Sequence, residues 1–97
     1  MDKQYTDIAL EIGKLVQEKQ LAYGDSFGKS YKVMEALYPN GIDTYKMHDA
    51  LTIIRIVDKL FRIATNRDAF GESPYRDIAG YALLAVKRDE DKKKELI

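Results

Sequence analysis

The chain has 97 residues, 45% of them hydrophobic and 33% charged, and its 16 basic side chains balance its 16 acidic ones. This length suits one domain, and zero net charge excludes a general nucleic-acid binder, which carries a basic excess. With no cysteine there is no disulfide framework and no thiolate metal site; a reducing cytoplasm is the expected setting, no apolar run reaches membrane-spanning length, and the start MDKQYTD does not read as a signal peptide.

Residues 5–22 show helical periodicity, with Ile8, Ile12, Leu15 and Ala22 on one side and Asp7, Glu11, Lys14 and Glu18 along its edge. Thr6 is the candidate cap. AYGDSFGKS (22–30) breaks the pattern. GKS at 28–30 lacks the preceding strand and the glycine spacing of a phosphate-binding loop. The corner reads instead as Gly24 ending one helix and Asp25 or Ser26 capping the next. The same segment also brings together an aromatic ring, a carboxylate, a hydroxyl and a lysine, the parts needed to stack a base and grip a sugar or phosphate. The second helix runs from Phe27 or Lys29 to Leu37, with Val33, Met34 and Leu37 inward, and YPNG (38–41) is a turn signal. A third helix is expected over 44–65 and a fourth over 74–88, leaving a charged tail, 89–97, that frays. No strand pattern is present, so the expected fold is all-α: one domain over 1–97, a small bundle of four helices.

An acid sits on the apolar side of each of the last two helices. At about 100° per residue, Leu51, Ile54 and Phe61 cluster around Asp58, while Arg55 and Arg62 flank it at i−3 and i+4. Two roles fit: a buried structural ion network, or a polar pocket in which Asp58 aims both arginines at a phosphate, a task suited to their planar forks. If Asp58 is buried in such a pair, its removal costs roughly 3–5 kcal/mol. In the fourth helix Ser73 is a good N-cap and Pro74 suits the first position. Asp77 shares a face with Tyr81 and Leu84, and Glu72 lies just before the cap. Gly80 weakens the helix interior, which suggests close approach of another backbone or a ligand. Ile56, Leu60 and Ile63 form a second apolar strip on the third helix. A helix apolar nearly all round is buried on several sides, and in so short a chain that points to a second subunit. The single histidine, His48, has no partner for a zinc site and reads as a helix-start residue near Asp49.

Three motifs, KQLAYGDSF (19–27), RIVDKLFRI (55–63) and ESPYRDIAGYA (72–82), resemble, in the same order, those of the nucleotide modification associated domain family of bacteriophages. The resemblance covers about three quarters of the chain and implies a helical phage protein linked to nucleotide metabolism. A remoter similarity is to the MazG-type all-α nucleotide pyrophosphatases, whose acidic clusters hold magnesium. It places Asp58 in the first cluster and Glu72 and Asp77 in the second. This chain keeps only one acid in the first cluster, between two arginines, and spaces Glu72 and Asp77 five apart rather than three.

The expectation is a homo-oligomeric protein that binds a nucleotide-type small molecule without catalytic residues, metal or cofactor. Arg55 and Arg62 would hold phosphate oxygens, Lys19, Tyr23 and Asp25 the base or sugar, and Asp58, Asp77 and Tyr81 would complete the pocket. Encoded by a phage, it would act in the host cytoplasm and sequester a nucleotide immune signal. The rivals are a magnesium-dependent nucleotide pyrophosphatase, with Asp58, Glu72 and Asp77 on the metal, and a structural or protein-interaction module in which the acids only lock the helices.

Overall fold

The computed structural model describes residues 2–66 and 71–95. Four α-helices account for most of them: α1 (Tyr5–Tyr23), α2 (Ser26–Leu37), α3 (Met47–Asn66) and α4 (Pro74–Glu95), with one 3-10 turn at Thr44–Lys46 leading into α3. No strand occurs among the described residues, and the all-α expectation holds. Residues 67–70, between the third and fourth helices, lie outside the described residues, as do the last two of the tail.

The helix ends follow local chemistry. The cap of α1 is Gln4 rather than the expected Thr6: the Gln4 N–H donates to Asp7 Oδ2 at 3.1 Å, and the Gln4 side chain bonds back to the Asp7 backbone. An acid three residues on closes this reciprocal box, which Thr6 has no equivalent partner to make. Ser73 and Pro74 start α4 as expected, with Ser73 Oγ accepting the Arg76 N–H at 3.3 Å. The expected frayed tail is instead helical through Glu95. Opposite charges one turn apart extend it: Lys87 meets Asp91 at 2.6 Å, and Lys93 meets Glu90 at 3.5 Å.

α3 is the hub. It packs on α1, α2 and α4, while those three barely touch one another. The result is open. The Cα radius of gyration is 17.5 Å, against about 12.5 Å for a compact domain of this length. Among the described residues the buried apolar side chains are Ala22, Ala50 and Val57, with Pro74 buried at the start of α4. Of the second α3 strip, Leu60 is exposed and Ile56 and Ile63 are half-buried.

The corner between α1 and α2 is tightly specified. Gly24 (φ 63°) and Asp25 (φ 56°) both adopt left-handed backbone, which turns the chain within two residues. A Cβ on Gly24 would overlap Thr65 Oγ1 of α3, so the glycine also sets how closely α1 approaches the hub. Gly24→Ala is expected to cost more than the roughly 1–2 kcal/mol of a left-handed residue with a side chain. In urea denaturation, removing the overlapping atom with Thr65→Ala should recover part of that loss in the double variant, an interaction that a purely conformational penalty would not show.

Candidate functional site

The antiparallel pair α3 and α4 is joined by a ladder of polar contacts. Arg62 meets Glu72 (3.2 Å), Lys59 meets Asp77 (3.3 Å), the Arg55 guanidinium lies 5.6 Å from the centre of the Tyr81 ring, and Arg88 meets Asp49 (2.6 Å). Along α3 these positions recur every three to six residues, and along α4 every four to seven. Arg55, Lys59 and Arg62, spaced three and four apart, share one face of α3, whereas Glu72 reaches Arg62 from just before α4 and Asp49 reaches Arg88 from the first turn of α3. Between the last two rungs the seam opens into a cleft of about 260 Å³, lined by His48, Thr52, Arg55, Tyr81, Leu84 and Arg88, among others.

The first rung is different in kind. The Arg62 side chain is 1% exposed, and it is the only fully buried ionisable side chain among the described residues. Its second terminal nitrogen donates to the Glu72 carbonyl at 3.0 Å, and its guanidinium lies 5.5 Å from the centre of the Tyr23 ring. Arg62 thus ties the end of α1, the hub and the start of α4 together, and its charge is compensated by a carboxylate, a carbonyl and a π face.

This placement corrects the expected pocket. Asp58 is exposed, not buried, and among the described residues it makes no ion pair or hydrogen bond with Arg55 or Arg62. The two arginines make their contacts on the α4 side of α3, and Asp58 takes part in none of them. The apolar residues that seemed to enclose it do not form a lid: Leu51 and Ile54 are exposed and Phe61 is only half-buried. Arg62 and Tyr23 are engaged with each other rather than with open space. Asp25 caps α2, accepting from the Gly28 N–H (3.1 Å) and the Gln20 amide (2.7 Å), so the corner serves as structure. Lys19 is exposed on α1 and does not line the cleft. Asp77 is half-buried and paired with Lys59. Gly80 has open space where a side chain would stand, with no close backbone approach from the described residues.

Of the residues singled out from sequence, the cleft contains Arg55 and Tyr81. An adjoining surface groove of about 340 Å³ adds Asp77 beside Tyr81. The cleft also contains His48, Thr52 and Arg88, which sequence reasoning passed over. Their signal was the heptad: His48 is seven residues before Arg55 and Arg88 seven after Tyr81, which puts each pair on one helix face. Chemically, the cleft offers two guanidinium groups, an aromatic face, an imidazole and a hydroxyl. The Thr52 hydroxyl donates to the His48 carbonyl at 3.2 Å. Arg88 is held by Asp49, and its Nε is buried without an acceptor among the described residues. Arg55 is exposed and has no ion pair among them. No group of three His, Cys, Asp or Glu side chains converges as a metal site among the described residues. No described helix is long and apolar enough to cross a membrane.

Two outcomes follow. Arg62→Ala should destabilise the fold by about 2–4 kcal/mol, the sum of lost charge-assisted hydrogen bonds and the space left behind. Asp58→Ala should stay within about 0.5 kcal/mol of the parent, as for a surface substitution; urea midpoints measure both. The Asp25 carboxyl is held below its usual range by the Gln20 hydrogen bond first and the Gly28 N–H second. A depressed carboxylate contributes stability that is present above the unfolded value, about 3.9, and is lost as pH falls through the lower folded value. Asp25→Asn keeps a capping oxygen but does not titrate, so its melting temperature should fall less steeply than the parent's below about pH 4.

No protein-family profile, curated protein or solved structure matches this chain significantly.

Proposed function

We propose that this chain binds a nucleotide-derived, phosphate-bearing ligand without turning it over, in the cleft between α3 and α4. Arg55 carries the proposal. Its guanidinium is accessible, has no ion pair among the described residues and stands against the Tyr81 ring in a cleft shared with Arg88 and His48. A cation free of carboxylates beside an aromatic face suits phosphate at one end of a ligand and a stacked base at the other. Arg88, already neutralised by Asp49, contributes orientation more than charge. The similarity of the three sequence motifs to the phage nucleotide modification associated family agrees with a nucleotide-type ligand. In a phage setting, sequestering a host immune nucleotide is the use that needs binding alone. Compared with the pocket expected from sequence, phosphate contact shifts from the pair Arg55 and Arg62 to Arg55 and Arg88, because Arg62 is consumed by the fold.

A thermal-shift and calorimetry panel that includes cyclic dinucleotides and ADP-ribose derivatives tests this, since a ligand that binds only the folded state must raise its stability. Arg55→Ala should weaken binding by about 1.5–3 kcal/mol, the scale of a charged hydrogen bond, while Asp58→Ala leaves it unchanged. Binding should persist in EDTA, and heat denaturation should release the nucleotide intact. Magnesium-dependent cleavage that disappears in Asp77→Asn would replace this proposal with the pyrophosphatase. A panel without any stabilising nucleotide would leave the structural module.

A further inference from the structure

α1 is a helix without a cover. Ala22 is its only buried residue, and Ile8, Ile12 and Leu15, the apolar stripe at i, i+4 and i+7, are 39%, 55% and 47% exposed. In proteins most helical stability comes from packing an amphipathic face, and Gly13 in the interior of α1 weakens it further. On another part of the same chain, α2, the following turn and α3 enclose an apolar groove of about 500 Å³, whose lining includes Tyr31, Met34, Tyr38, Ile42 and Ile54. The stripe is convex, the groove is concave, and neither has an occupant among the described residues.

We propose that a second copy of this chain covers both, each copy seating the Ile8, Ile12 and Leu15 stripe of its α1 in the apolar groove of the other. The area supports this occupant. The chain exposes 7993 Å², roughly 2,300 Å² more than the roughly 5,700 Å² of a compact monomer of this mass. Obligate dimers hide about 2,000–5,000 Å² in total, so two copies that each lose this excess fall inside that range. Reciprocal docking also suits two-fold symmetry: stripe meets groove twice, and one operation satisfies both unpartnered surfaces. The stripe's spacing is that of a helix laid into a groove, with anchors one turn apart on one face. The expected subunit contact on Ile56, Leu60 and Ile63 is a poorer counter-face, because Ile56 and Ile63 are already half covered within the chain. The dimer is independent of any ligand.

Light scattering at micromolar concentration should report twice the chain mass of 11.1 kDa. Leu15→Glu places a charge in the interface and should weaken dimerisation at least tenfold, giving a monomeric mass. The native chain has no cysteine, so a second experiment stands even if that variant fails to fold. Chains carrying Ile12→Cys, mixed with chains carrying Met34→Cys and mildly oxidised, should form a disulfide-linked mixed dimer, and neither chain alone should cross-link. A monomeric mass for the unsubstituted chain overturns the proposal. So does a dimer in which Ile12→Cys chains cross-link to one another and the mixed pair does not.

Discussion

A buried guanidinium holds this molecule together. Arg62 has almost no contact with water, and an unpaired charge there would be costly. It is kept by three partners from three parts of the chain: the ring of Tyr23 at the end of α1, the carboxylate of Glu72 and the carbonyl of the same residue ahead of α4. Because α1 and α4 barely meet, this side chain is one of the few features common to both. The Gly24 and Thr65 approach one turn further along α3 fixes the same junction from the backbone side. The carbonyl is present whatever side chain stands at 72, and the Glu72 carboxylate is itself largely exposed. Much of the compensation is therefore built into the path of the chain as it enters α4.

With that junction fixed, the rest of the α3 and α4 seam is polar along much of its length. Ladder rungs at exposed positions contribute little stability individually, about 0–1 kcal/mol each. What they contribute is register: an arginine on an aromatic ring, flanked by ion pairs whose partners lie on the opposite helix, sets one helix against the other at defined positions. The cleft is a consequence of this register. It opens where Arg55 and Tyr81 give way to Thr52, Ala85 and Leu84, side chains that do not bridge the gap. Apolar surface is left instead on α1, on the α2 groove and on parts of α3. The chain is rich in hydrophobic residues, yet few of the described ones are fully buried, which is the physical basis for expecting a second copy on those faces.

Much of the local structure was legible in the residues. Periodicity located the four helices, Ser73 with Pro74 started the last of them, and Gly24 with Asp25 marked the corner, because caps and turns depend on neighbours within a few positions. The extension of α4 to Glu95 was also written locally, in charges one turn apart, but a run of charges reads equally well as a solvated tail until its pairs are seen. The site was legible only in part. Arg55 and Tyr81 were identified, while His48 and Arg88 required the heptad to be followed across two helices.

The chain's own order of residues determined helix content, helix ends, charge balance and the presence of arginines, acids and tyrosines on the last two helices, since each is a property of segments a few turns long. Tertiary structure alone decided which acid met which base. Asp58 stood among apolar residues on a helical wheel, but a wheel carries no information about which arc the neighbouring helices occupy. α4 settled on the arc of Arg55, Lys59 and Arg62, pairing the last two with Asp77 and Glu72, and Asp58 was left facing out. Burial of a charge depends on the directions from which other elements arrive, and those directions were set by the junction at Arg62 and the tight turn at Gly24.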